Sequence, residues 1–127
     1  MNKLTNEELL EVAENPETST EILNKLAKSK YDRVREAVVK SLNAPLEILN
    51  KLVKDCSSYI REEVARNKNT SKADLVRLST DSCVITRCEI AKNKNTPKET
   101  LIQMLEVEKD KTVIEELKRA LELRKKL

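Results

Sequence analysis

Glycine and histidine are absent from this chain of 127 residues, as are tryptophan and phenylalanine, and the aromatic side chains are Tyr31 and Tyr59 alone. A chain without glycine cannot build phosphate-cradling loops of the dinucleotide or P-loop kind, whose backbone occupies positions that a Cβ closes off. Without histidine there is no Ser-His or Cys-His pair, no imidazole metal ligand and no neutral-pH proton shuttle. These gaps remove most enzyme templates, so the chain is expected to be non-enzymatic, with no catalytic residue, no metal and no cofactor. No stretch approaches the roughly 18 apolar residues of a membrane span, and no membrane association is expected. The opening MNKLTNEELLEVAEN is acidic and lacks a signal-peptide apolar run, which points to the cytoplasm. An excess of one charge sign is missing too: 25 Lys and Arg against 22 Asp and Glu leave +3, a weak attraction for nucleic acid or anionic lipid.

What is present is a repeat. The phrase NKNT occurs at Asn67 and again at Asn93, 26 residues later, each time ahead of a leucine-spaced segment. Sliding the chain against itself by 26 aligns four ungapped units that begin at Val12, Val38, Val64 and Ile90. Equivalent columns carry equivalent chemistry: Ala13, Val39, Ala65 and Ala91; Leu23, Leu49, Leu75 and Leu101; Leu26, Leu52, Leu78 and Met104. A unit of this length cannot bury its own apolar face, so it must stack on copies of itself.

Within each unit Thr18, Ala44, Thr70 and Thr96 stand where a helix N-cap is expected, with Ser19, Pro45, Ser71 and Pro97 as first helical residues. Glu21 and Glu99 lie three residues after Thr18 and Thr96, the spacing of a capping box. That helix carries the leucines and ends near Lys28 or Lys54. A shorter one is predicted over Asp32 to Lys40 and Ser58 to Arg66, capped by Asp32 and Ser58, with Val34, Val38, Ile60 and Val64 turned inward. Asn15, Asn67 and Asn93 come just after such helices, where a left-handed residue is wanted and asparagine is the best substitute for glycine. Thr5 with Glu8, flanked by Leu4 and Leu9, predicts a capped opening half-unit, and Thr112 with Glu115 opens a final helix.

The unit V-A-x-N-P-x-T, then L-x-x-L, then D-x-x-x-x-x-R resembles the leucine-rich-repeat-variant family, a short relative of HEAT repeats, over roughly residues 12 to 115. Ordinary leucine-rich repeats are excluded because no column supplies their strand. The resemblance implies an all-α fold, a right-handed α-solenoid of four 26-residue helix-pair repeats with capping helices. A single domain over 1–127 is expected, with an N-terminal cap at 1–11, repeats at 12–115 and a C-terminal cap helix at 116–127. Two departures stand out. Ser41-Leu42 replaces the Asn-Pro of the first unit and Lys68 and Lys94 take the proline position, so the turns are expected to differ between units. The family's occasional iron-sulfur cysteine cluster is not carried over, since the first 55 residues hold no cysteine.

Cys83 and Cys88 have the spacing nearest to metal ligands, with Cys56 in the neighbouring unit, but no fourth thiolate or histidine exists to complete a site. A Cys56–Cys83 disulfide conflicts with the spacing of neighbouring helices, about 8–10 Å against the about 5.5 Å between bridged alpha carbons. The basic columns are the better candidates. Glu36 and Glu62 lie four before Lys40 and Arg66, the favourable orientation for helix-surface ion pairs. Arg35, Arg61 and Arg87 stand six residues after Ser29, Asp55 and Asp81, where the HEAT-like resemblance implies a structural ladder of Asp and Arg, with phosphate contact as the alternative role. The partner surface is therefore assigned to Arg61, Lys68, Lys72, Arg87, Lys94 and Lys98. The function expected is a scaffold presenting an extended surface to another protein; the alternative is nucleic-acid or other polyanion binding through the stacked Lys and Arg columns.

Overall fold

The computed structural model describes residues 3–125; the outermost residues of both expected caps lie outside that range. The described chain is all-helical, with nine helices and no strand. The odd-numbered helices are α1 (Asn6–Glu14), α3 (Asp32–Lys40), α5 (Ser58–Arg66), α7 (Val84–Lys92) and α9 (Lys111–Lys125). Between them lie α2 (Thr20–Leu26), α4 (Leu46–Leu52), α6 (Lys72–Leu78) and α8 (Lys98–Val107). The bounds of α1, α3, α5 and α7 recur at steps of 26 residues, and so do those of α2, α4 and α6. The chain divides into two compact units, one ending at Val64 and the other beginning at Ala65, so the division falls within α5. In the first unit α1 packs on α3, α2 lies against both, and α3 meets α4. In the second α9 packs on α7 and α8, and α6 meets α7.

The apolar columns are buried in each unit. Leu23, Leu49, Leu75 and Leu101 are each at most 1% exposed, and Val38, Val64 and Ile90 are fully buried. Val34 and Ile60 point inward as the helical spacing requires. Each such side chain contributes about 1.5–3 kcal/mol on leaving water, which is why seven- and nine-residue helices, marginal alone, persist here.

The caps depart from expectation by one residue. Ser19 and Ser71 are the N-caps of α2 and α6, accepting from the amides of Ile22 and Asp74, while Pro45 and Pro97 take that place in α4 and α8 without a side-chain bond. The capping boxes expected at Thr18 and Thr96 therefore do not form, because those hydroxyls face backward. Thr18 donates to the carbonyl of Val12 and Thr96 to that of Ile90 at 2.7 Å, closing the end of the preceding helix. Both threonines are buried, as is Thr70. The Thr5–Glu8 capping box forms as expected, and its two contacts with Thr5 hold the Glu8 carboxyl below the usual carboxylate range. Asp32 is the first helical residue of α3 rather than its cap, which is Tyr31. The final helix starts at Lys111, and Asp110 instead of Thr112 accepts from the amide of Val113 at 3.1 Å.

No described residue has a positive φ, so the left-handed asparagines do not occur. Asn15 and Asn93 are extended, each with φ −71° and ψ 121°. Each of the first four odd-numbered helices instead runs into a hydrogen-bonded turn in which the fourth residue's amide donates to the first residue's carbonyl: Thr18 to Asn15, Ala44 to Ser41, Thr70 to Asn67 and Thr96 to Asn93. Without positive φ these are type I turns, which favour Asn or Ser at the first position and make no demand for glycine. The turns therefore agree across units, against the expectation that Ser41-Leu42 and the two lysines would alter them. Ser41 Oγ accepts from the amide of Asn43 as Asn15, Asn67 and Asn93 Oδ1 accept from Glu17, Asn69 and Asn95. Any residue can supply the second position's φ.

A candidate partner surface on the second unit

The turns carry a second set of bonds. Asn93 Nδ2 donates to the carbonyls of Ala65 at 2.8 Å and Asn67 at 3.2 Å, and Asn95 Nδ2 donates to the carbonyl of Lys68 at 2.8 Å. In the first unit Asn43 Nδ2 reaches the carbonyl of Pro16 at 2.7 Å in the same way. The side chains of the tetrad thus clamp one turn to the turn before it. The orientation of the Asn93 amide is fixed by chemistry, since a backbone N–H faces one end and two carbonyls face the other.

The arginine column is likewise held. Arg35, Arg61 and Arg87 each donate through Nη1 to the carbonyl six residues earlier, at 2.7, 2.8 and 2.8 Å. Arg35 grips Asp55 through Nε at 2.8 Å and Nη2 at 3.2 Å, and Arg87 grips Glu108 at 2.8 and 3.1 Å. Such two-pronged contacts match the planar guanidinium to a carboxylate. They raise the pKa of both arginines and hold the Glu108 carboxyl below its usual range. The carboxylate facing Arg87 is one residue later than the column Asp55, Asp81 would place it, because α8 has ten residues where α2, α4 and α6 have seven.

The six assigned residues therefore separate. Arg61 and Arg87 are half-buried and committed to backbone carbonyls, Arg87 also to Glu108. Lys68 and Lys94 are exposed at the second position of their turns, and Lys72 and Lys98 are exposed as the first residues of α6 and α8. None of these four lysines has an ion pair among the described residues. Lys68 and Lys94 line one shallow depression with Arg66, Lys92 and the side chains of Asn69 and Asn95; Lys72 and Lys98 do not. Comparison with known proteins adds no relative. No family model, no curated protein and no solved structure matches the chain.

Lys92 belongs to this group although it is not among the six. Its column is Lys40, Arg66 and Lys92; Lys40 pairs with Glu36 at 3.7 Å, but four residues before Lys92 stands Cys88. That missing carboxylate is the signal in the sequence that could have found it. Two buried polar residues escape sequence reasoning as well. Asp74, 3% exposed, takes the column place of Ile48, and Thr86, fully buried, takes that of Val34 and Ile60. The Thr86 hydroxyl has no hydrogen-bond partner among the described residues.

The cysteines are free thiols, Cys56 exposed and Cys83 and Cys88 half-buried, and burial pushes the Cys88 thiol up. Among the described residues no group of three metal-binding side chains comes together and no helix is long and apolar enough to cross a membrane.

Proposed function

We propose that the chain is a non-enzymatic helical-repeat scaffold, a right-handed α-solenoid of the leucine-rich-repeat-variant kind, that offers an extended surface to a partner protein. The observation that carries this reading is the turn tetrad. The bounds of α1, α3, α5 and α7 recur every 26 residues, and each of these helices runs into the same turn, made by Asn or Ser at its first position. The asparagine amides and buried threonines of the tetrad serve the fold, while the lysine side chains at its second position form no ion pair among the described residues. Stacked units turn such a position into a row on one surface, and a row suits an extended partner better than a small substrate.

Polyanion binding through Arg61, Lys68, Lys72, Arg87, Lys94 and Lys98 is the weaker reading, because Arg87 is already neutralised by Glu108. Affinity capture on the immobilised full chain, followed by titration of the captured protein in purified form, tests the scaffold. A stoichiometric protein complex is expected. Failure to reconstitute any such complex, together with oligonucleotide binding that falls steeply with salt, would transfer the function to the polyanion reading.

A further inference from the structure

The charge of this chain is unevenly placed. From residue 65 onward there are 15 Lys and Arg against 10 Asp and Glu, whereas the residues before it hold 10 and 12. Part of that excess surrounds the ridge Lys92–Asn93–Lys94. The ridge borders both the polar depression shared with Lys68 and a second depression lined also by Ala91, Ala120, Leu123 and Arg124. Leu123 leaves 58% of its surface open to water. Arg124 Nη2 donates to the carbonyl of Lys94 at 3.2 Å, so α9 is tied to the ridge and the two depressions share a fixed wall.

We propose that this ridge is the docking site for an acidic segment of a partner protein that carries one apolar anchor residue. The proposal rests on the scaffold reading and narrows it to a partner of stated chemistry. The three lysine side chains have no structural task that would explain them. Pro16 and Leu42 form the same turn at the positions of Lys68 and Lys94, and Lys92 lacks the carboxylate that pairs with Lys40. Compact cations on flexible stems beside Asn93 and Asn95, whose amides are already committed to backbone carbonyls, suit carboxylates that arrive in more than one geometry. The Ala91–Ala120–Leu123 dent, bordered by Lys92, Lys94 and Arg124, can take an aliphatic side chain beside carboxylates, a pairing that a bare sugar-phosphate backbone does not supply. Single-stranded nucleic acid would seek aromatic platforms, and both tyrosines belong to the first unit.

The test is fluorescence anisotropy on the full chain with a labelled peptide of glutamates bearing one leucine. The same peptide with glutamine for glutamate, the same peptide with alanine for leucine, and a single-stranded oligonucleotide are the comparisons. Binding of the Glu and Leu peptide is expected to weaken about tenfold in K68Q/K92Q/K94Q, from three exposed charges lost, and several-fold in Leu123→Ser. Lys25→Gln/Lys28→Gln, on exposed lysines of the first unit, is expected to leave it unchanged. Equal binding of the glutamine peptide, loss of binding in K25Q/K28Q instead, or an oligonucleotide that binds tighter and fails in the triple variant would each overturn the assignment. A partner retained alike by the unaltered chain and the triple variant would remove this site while leaving the scaffold reading in place.

Discussion

Asn93 is 9% exposed and makes three side-chain bonds, two as donor to the carbonyls of Ala65 and Asn67 and one as acceptor from the amide of Asn95. Serine and aspartate both keep the acceptor and lose the two donated bonds, but only aspartate adds a charge. Asn93→Ser keeps the turn, as Ser41 does at the equivalent place, but loses both clamping bonds. At about 0.5–1.5 kcal/mol net per bond the cost is about 2 kcal/mol, or a fall in melting temperature of roughly 6–10 °C. Asn93→Asp also keeps the turn acceptor but points a carboxylate oxygen at two carbonyls, so its cost at neutral pH is about 3 kcal/mol, with Lys92 and Lys94 offsetting the rest of the burial penalty. The introduced carboxyl is easier to accommodate protonated, so its folded pKa lies above the unfolded value of about 3.9. A raised carboxyl pKa means that the penalty is present above the folded pKa and vanishes below the unfolded one. Urea unfolding monitored by far-ultraviolet circular dichroism should therefore find Asn93→Asp less stable than Asn93→Ser at pH 7, with its deficit against the unaltered chain shrinking toward pH 4. An Asn93→Asp chain at least as stable as Asn93→Ser, or a deficit independent of pH, would show that the amide is not a clamp.

Buried polar groups give two further expected outcomes. Thr86→Val should raise stability by about 1 kcal/mol in the same assay, because it removes a buried hydroxyl without a partner from a column that elsewhere holds Val34 and Ile60. The Glu108 carboxyl, held down by Arg87, gives a contribution that is present above the ordinary carboxylate range and lost as pH falls through the lowered value. Glu108→Gln should cost about 1–3 kcal/mol at pH 7 and flatten the acid limb of the stability profile, while Arg87→Lys, keeping the charge but not the two-pronged grip, should cost less and leave part of the acid limb in place.

The aliphatic columns are readable in the sequence because burial tracks helical period, and a leucine every 26 residues has one plausible destination. The bounds of α3 and α5 come from the same periodicity. The start of α2 is displaced because Thr18 and Ser19 are both good caps; which one caps depends on where the other hydroxyl finds a carbonyl, and Thr18 finds Val12. Asparagine after a helix suggests a left-handed residue, yet a type I turn ends the helix with φ negative throughout. The clamp from Asn93 to Ala65 cannot be read at all, since it joins residues 28 apart through a turn geometry that the sequence does not state. Glu108 as partner of Arg87 escapes for a related reason: the longer α8 moves the loop by one residue, and strict column counting lands on Val107.

The tetrad divides labour between fold and surface. Its first position holds the turn through an Asn or Ser acceptor, its third clamps one turn to the turn before it in Asn43 and Asn95, and its fourth, where threonine, closes the preceding helix in Thr18 and Thr96. The second position needs only a negative φ, and the chain supplies it with proline, leucine and lysine in turn. A site where folding accepts any of these is a site where surface chemistry can change without structural cost. Lysine there in both turns of the second unit, beside a Lys92 deprived of its helix partner, is then a choice the fold did not impose. Lys68→Gln/Lys92→Gln/Lys94→Gln should accordingly weaken the acidic peptide while leaving the urea midpoint where it was. A parallel loss of stability would mean that the lysines hold the turns and that the docking assignment has mistaken structure for recognition.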